Sequence, residues 1–570
     1  MKKPLTTLAL ALFACNSQAA SDSDQIMQRQ QQFERDQIHQ KEIKQVEKEL
    51  ERIEQIENEE QQNLTKESGK VVQDLRAIQC FRIREIKFSS NQIISKFRSK
   101  ILTKDYLGKC LNLSQISELN QKISNYLAES GYATSRSNIP QQSIESGILK
   151  IEITESGLEK IIFREDNFFD QTQKFTAFGL VGKDEILDMK KIEQGLEQIN
   201  RLSSNNATIK ILPSSQENTS IIAVENNPKN SSRLSAAYDN NGVKLTGARR
   251  ETISFNQDNL LRLNDNLVIS RTANDLDNNR KEQGSNSFSS SFSVPFTWCN
   301  LTLNYSKSSY FFHSGDIVNS KYTGTTSTKS AAFDALLLKS KKFKLATNLL
   351  LTQRYNQNFS AGVKDSSSHK ASFGSVSLPT TLFFNESSLF LKPTYSKSLN
   401  ILDSQTDGGK LPSNVAHFEF DIFRFYANFS QKLKIVEAPI SYNLTFDSQI
   451  SKQTLYGVDQ FAVGGVYSVR GFANGSIADD SGYNVKNEIS VNLGRGFALT
   501  PFYDYGYVRS KGGQQSGRLS GTGFKIGFSQ QYFSANIIFS WAISKSQYLL
   551  QNYGENNAVY FNLASEFGFF

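Results

Sequence analysis

The sequence predicts two small α+β units followed by an all-β transmembrane barrel, and three observations carry that expectation. The N-terminus reads as an export signal. No apolar run after it is long enough to cross a membrane as a helix. From residue 229 to the end, apolar and polar residues alternate with a period of two.

Lys2 and Lys3 precede an apolar stretch from Leu5 to Ala14, and small residues follow at Ser17, Ala19 and Ala20. That order matches a secretory signal peptide over residues 1–20, cleaved after Ala19 or Ala20. Leu12-Phe13-Ala14-Cys15 offers a lipoprotein alternative, although Phe13 is bulky for that motif. With a mean hydropathy of −0.43 and no run of eighteen apolar residues, a helical membrane protein is excluded. A closed barrel can still cross lipid, because it satisfies every backbone group between strands and needs apolar residues only at alternate positions. The 41 Phe and 21 Tyr suit aromatic girdles. The net charge of +8 is spread along the chain, so nucleic-acid binding is not expected.

Residues 21–64 are poor in Gly and Pro. Ile43, Val46, Leu50 and Ile53 recur at helical spacing, which predicts one long helix with a thin apolar stripe, either solvated or part of a coiled-coil seam. Residues 65–76, with Ser68 and Gly69, read as a linker. The first α+β unit, 77–153, opens with Phe81–Phe88 as a strand. A helix near 113–130 follows, with Leu113, Ile116, Leu119, Ile123, Tyr126 and Leu127 on one face. Gly131 is its C-cap, and strands Ala133–Ile139 and Gly147–Ile153 complete the unit. The second unit, 154–228, repeats the order with strand Leu158–Phe163, helix Met189–Leu202, and strands Ala207–Leu212 and Ser220–Glu225. Cys80 and Cys110 bracket a short segment of the first unit. In an exported protein such a pair is expected to be a disulfide worth about 3–4 kcal/mol. Cys299 stands alone.

In the barrel segment, 229–570, the clearest alternation sets Phe288, Phe292, Val294 and Phe296 against Ser287, Ser289, Ser291 and Ser293. Sixteen antiparallel strands would leave about 21 residues for each strand and its connection, enough for strands of 9–11 residues plus loops. Catalytic residues, metal ligands and cofactors are not expected. His39, His313, His369 and His417 are scattered, and no nucleophile elbow or phosphate-binding Gly-rich loop is present.

Several motifs resemble one family. Gln449-Ile450-Ser451 through Leu455, then Gln460-Phe461-Ala462-Val463-Gly464-Gly465-Val466-Tyr467-Ser468-Val469-Arg470-Gly471-Phe472, are similar to the signature of two-partner secretion (TpsB-type) transporters, the haemolysin secretion/activation proteins. Pro501-Phe502-Tyr503-Asp504-Tyr505-Gly506 resembles the family's aromatic-x-Asp-x-Gly strand motif, and Ser291–Phe296 an early barrel strand. The resemblance also covers the two α+β units as POTRA domains, including Cys80-Phe81 and Gly108-Lys109-Cys110.

The resemblance implies an outer-membrane barrel of a Gram-negative bacterium with periplasmic POTRA domains. These dock a secreted partner exoprotein (TpsA type), by β-augmentation at a sheet edge, and the barrel exports it without ATP hydrolysis. It also implies a monomer, inserted into outer-membrane lipid by the barrel assembly machinery. The loop Val469-Arg470-Gly471-Phe472 would fold into the lumen, where Arg470 pairs with Asp504 of the strand motif containing Phe502 and Gly506. The helix 21–64 would be the family's plug. An outer-membrane protein insertase of the same superfamily is the alternative, against which two POTRA units argue because insertases carry more; a passive porin would leave those units unexplained. One departure concerns the C-terminus. Val559, Phe561, Leu563, Phe567 and Phe569 share a face, and the terminal Phe570 falls on the other, so either a bulge intervenes or Phe569 takes the outward role.

Overall fold

The structure is a computed structural model that describes residues 26–51, 80–89, 92–163, 168–179, 181–183, 185–274, 281–314, 320–435, 438–473, 475–509, 516–552 and 557–569. The expected leader and linker lie outside the described residues, as do 21–25 and 52–64 of the expected helix.

In the first unit, helix Leu113–Glu129 packs on a sheet whose central strand, Ile148–Thr154, runs parallel to Glu85–Phe88 and antiparallel to Arg136–Asn138. Asn112 and Gln115 form a capping box that starts the helix, and Gly131 ends the turn after it with φ +102°. Ile116, Leu119, Ile123 and Leu127 are buried against Leu149 and Ile151. Leu113 departs from the expected face. It is the first residue after the cap, outside the packed turns, and 72% exposed.

The single strand expected over Phe81–Phe88 is two strands. Phe81–Arg82 pairs with Cys110–Leu111, beside the disulfide Cys80–Cys110, whose Cα atoms are 5.2 Å apart. The chain changes partner at the fully buried Ile83: its N–H donates to Lys109, whereas those of Arg84 and Glu85 both donate to Gly147. Cys299 is free and buried.

The second unit repeats the arrangement around Thr219–Glu225, parallel to Gly157–Phe163 and antiparallel to Thr208–Pro213, with helix Met189–Asn200 on one side. Each unit also holds a shorter helix that the periodicity did not announce, Lys96–Thr103 and Phe168–Phe178. Phe97, Ile101 and Phe175 are exposed, while Leu102 and Phe178 reach the cores of their units.

The second unit docks on the barrel through the ends of its helices. Gln198 donates to the Thr297 carbonyl (2.7 Å), and Arg201 donates to Ser293 Oγ (2.8 Å) and the Asn264 carbonyl (2.7 Å). Burial lowers the pKa of the Arg201 guanidinium, opposed by the Asp258, Asp265 and Asp334 carboxylates. These contacts put the turns near 264 and 297 on the rim that the second unit covers, and the longer connections emerge on the far side.

The barrel closes between its first strand, Ser232–Asp239, and its last, Asn557–Phe569, paired antiparallel from Asn562↔Asp239 to Phe569↔Ser232. It has sixteen crossings. One of them is made of three pieces, Val363–Lys364, Lys370–Ser377 and Thr380–Phe384, interrupted at Leu378-Pro379 where proline has no N–H to give the ladder. Leu301, Leu303, Phe333, Leu349, Leu351 and Val376 lie exposed on adjoining strands as one apolar band, while Thr352, Ser375 and Ser377 face inward, buried. The last strand runs without a register shift and Phe569 is exposed beside Phe567, so Phe569 takes the outward role. No helix among the described residues is long and apolar enough to cross a membrane.

Residues 26–51 form a helix about 39 Å long inside this wall. Its side chains meet strands all around the barrel: Asp36 faces Lys486, Glu42 faces Lys392 and Glu49 faces Lys344. Ile26 and Met27 pack with Tyr310, Phe312 and Tyr322 towards the outer mouth, and Ile43, Val46 and Leu50 with Phe383, Phe390 and Tyr426 towards the periplasm. The thin stripe is therefore neither a solvated face nor a coiled-coil seam; it is matched to the barrel's inner wall.

Candidate functional site: the lumenal loop

Between strands Ala438–Ser451 and Ser481–Gly494 the chain turns back into the lumen. A short hairpin, Phe461–Val463 with Ile477–Asp479, brackets the loop, and Phe461, Val463, Val469, Phe472 and Ile477 pack against Val508 and Leu519 of the wall and Leu549 of the short helix Gln547–Asn552. This small apolar core gives the loop a definite position.

At its tip the Arg470 side chain is 4% exposed and that of Asp504, on strand Phe497–Arg509, is fully buried. Arg470 Nε donates to Asp504 Oδ2 at 2.6 Å and Nη2 to Oδ1 at 2.7 Å, a bidentate pair; the Arg470 backbone N–H adds a third bond at 3.1 Å. Nη1 donates to Glu488 Oε1 at 2.5 Å, and the guanidinium lies 3.4 Å over the centre of the Phe502 ring. Removing one partner of such a buried pair strands a charge, a loss of about 3–5 kcal/mol.

The neighbouring glycines are required by contact. Gly471 has φ +107°, and a Cβ there would lie 2.8–3.0 Å from the backbone of Trp541 and Ala542. A Cβ on Gly506 would lie 2.3 Å from Val463 Cγ1, and one on Gly521 only 1.8 Å from the Arg470 carbonyl oxygen. The structure thus brings together Val469, Arg470, Gly471, Phe472, Phe502, Asp504 and Gly506. Cys80 and Cys110 are remote from this group, in the first periplasmic unit.

Sequence reasoning missed four participants. Glu488 is a second carboxylate on Arg470. Gly521 clears room for the loop backbone. A second buried ion pair, Arg354 Nη2 to Asp459 Oδ2 at 2.6 Å, holds the loop's root, where Gln449 also donates to the carbonyls of Asp459 and Asp480. Asp459 sits just before the quoted Gln460–Phe472 motif and could have been singled out there; nothing local marks Arg354. The fourth is the contact between the loop and the helix, whose place in the barrel as a plug the resemblance does imply. Arg29 donates to the Ala473 carbonyl, Gln32 to the Ala462 carbonyl, and Gln28 to Gln460 at 3.2 Å, so the loop clasps the helix's outer half.

A family model described as haemolysin secretion/activation protein ShlB/FhaC/HecB matches residues 218–529. The chain belongs to that family. A ShlB-type POTRA domain model matches residues 81–156 and a second POTRA model 157–213. The outer membrane transporter CdiB of Dickeya dadantii (strain 3937) is 31% identical over 415 residues, 72% of each chain. The hemolysin transporter protein ShlB of Serratia marcescens is 26% identical over 74% of this chain and 75% of its own. Among solved structures, CdiB from Escherichia coli superposes with a TM-score of 0.84 at 22% identity, covering 96% of this chain and 99% of that one, which establishes a common fold. The chain is accordingly an outer-membrane transporter of the two-partner secretion type, a β-barrel with POTRA domains in the periplasm. Members of its family are transporters, not enzymes.

Proposed function

We propose that this barrel secretes one partner exoprotein of the haemolysin, adhesin or contact-inhibition toxin class. The POTRA domains receive it in the periplasm, the helix fills the lumen at rest and leaves for transport, and the Arg470–Asp504 pair fixes the loop past which the client moves. The functional division is a leader (1–20), plug (21–64), linker (65–76), two POTRA domains (77–153 and 154–228) and barrel (229–570). The chain works as a monomer in outer-membrane lipid, after insertion by the barrel assembly machinery, and binds no nucleic acid. It hydrolyses no ATP, since it has no Gly-rich phosphate loop; folding of the client outside the cell biases the passage forward.

The observation that best supports this reading is the lumen itself. It is filled by a helix that, among the described residues, is held through polar, ionic and apolar side-chain contacts and through no backbone ladder, so the obstruction is removable without unfolding the wall. Two measurements test it. Co-expression with the exoprotein of the neighbouring reading frame should give secreted client only when this chain is present. Deleting residues 21–64 should raise conductance in planar bilayers while the barrel still assembles; unchanged conductance would remove the plug role.

A further inference from the structure

Arg250 opens the second wall strand, Arg250–Asp258, and its guanidinium stands where wall, loop and helix meet. Its edge is occupied by oxygens. Nε donates to Asp239 Oδ1 at 3.0 Å, and Nη2 lies 2.9 Å from the same carboxylate oxygen and donates at 2.9 Å to the hydroxyl of Tyr467, three residues before Arg470. The helix covers one face of the guanidinium. The Phe33 ring centre is 4.7 Å from Arg250 Cζ, and the same ring lies 5.5 Å from that of Tyr467, tilted by 51°. On its other side Tyr467 is held through its carbonyl, which accepts from Lys486 at 3.4 Å; Lys486 also faces Asp36 of the helix at 3.6 Å. The Arg250 side chain is 12% exposed and that of Asp239 7%, so these contacts are shielded from water.

We infer that Arg250 is a positioning residue that retains the plug helix through the face of its guanidinium, with Phe33 as its counterpart. The chemistry separates two tasks. The in-plane donors bind oxygens of the wall and the loop, and they stay satisfied whether or not the helix is present. To Arg250 the helix contributes an aromatic face and no competing carboxylate, so its departure breaks a cation–π contact and leaves Arg250 paired with Asp239. Retention is firm enough to keep the lumen filled and weak enough to be undone by a client.

The inference rests on the plug reading, and the test separates the two. The full-length chain, its 26–51 deletion and point variants are inserted in planar bilayers, and open probability is recorded per folded barrel, with heat-modifiable migration as the measure of folding. Phe33→Leu keeps an apolar side chain and loses the ring; it should raise open probability about two- to thirtyfold, the range one exposed-to-buried cation–π contact spans. Phe33→Trp should restore the wild-type value. Arg250→Lys keeps the charge while losing the planar face, and should resemble Phe33→Leu, with the double variant no more open than either single one. A wild-type open probability in Phe33→Leu, or a leucine phenotype in Phe33→Trp, overturns the inference if the deletion still opens the barrel. If the deletion changes nothing, the plug reading falls and takes this one with it.

Discussion

The two halves of the lumenal helix are held by different physics. The outer half, Gln28 to Phe33, is clasped by the loop through directional contacts: amide and guanidinium donors on the carbonyls of Ala462 and Ala473, and an aromatic ring against Tyr467. The inner half adds ion pairs to its apolar cluster of Ile43, Val46 and Leu50. Glu42 faces Lys392 at 2.5 Å, and Glu49 bridges Lys344 at 2.8 Å and Lys339 at 3.1 Å. Buried directional contacts depend on the loop's position and hardly on salt, whereas partly exposed ion pairs are screened within about 8 Å at physiological ionic strength. Lys339 is shared further, because Glu197 of the second POTRA domain also bridges it. The inner end of the helix thus answers to the periplasmic side, and the outer end answers to the loop.

The largest test breaks the loop's own anchor. Arg470→Ala and Asp504→Ala should each cut secreted client per folded barrel by at least about tenfold, since the first leaves the buried Asp504 carboxylate without its cation and the second takes the bidentate partner from Arg470. Because both act through one contact, the double variant should be little worse than either single one, and near-normal secretion by both singles would sink the anchor. Gly521→Val attacks the same contact from the wall, driving a side chain into the Arg470 carbonyl. It should lower secretion several-fold with both charges intact, a loss of roughly 1–3 kcal/mol in loop placement.

A smaller effect should distinguish the halves. Glu49→Gln is expected to raise open probability about two- to fivefold in dilute salt, and the increase should vanish near 1 M, where the wild-type pair is itself screened. Gln32→Ala, in the outer half, should give an increase that salt does not change. Equal salt dependence of the two variants would erase the contrast drawn between them. The least effect on transport is expected from Cys110→Ser. Thermal unfolding should show the first POTRA domain destabilised by about 3–4 kcal/mol while conductance of the barrel stays at its wild-type value. Non-reduced peptide mass spectrometry should find Cys80 linked to Cys110 and Cys299 as a free thiol.

Much of the architecture was legible because lipid and small cores impose repeating patterns. Phe288, Phe292 and Phe296 alternate with serines because one strand face meets lipid and the other the lumen. Ile116, Leu119, Ile123 and Leu127 repeat at helical spacing because one stripe meets a sheet. The break at Ile83 was invisible, since both pieces are extended and only their partners, Cys110–Leu111 and Ile148–Thr154, differ. The helices Lys96–Thr103 and Phe168–Phe178 escaped notice because they are short and carry exposed apolar residues such as Phe97, Ile101 and Phe175 beside the buried Leu102 and Phe178.

At the site, the motifs brought Arg470 and Asp504 to attention, while Glu488, Arg354 and Gly521 carry no local signature. An inward-facing charged or small residue in a barrel strand looks like any other until its neighbour across the lumen is known. The same holds for the helix. By itself the sequence determined that residues such as Ile43, Val46 and Leu50 form a stripe, because backbone periodicity is local. Which surface that stripe meets was decided by the closed wall around it. Arg250 and Tyr467 stand 217 residues apart, and Phe33 belongs to a third element, so only barrel closure and the inward fold of the loop bring the three within contact.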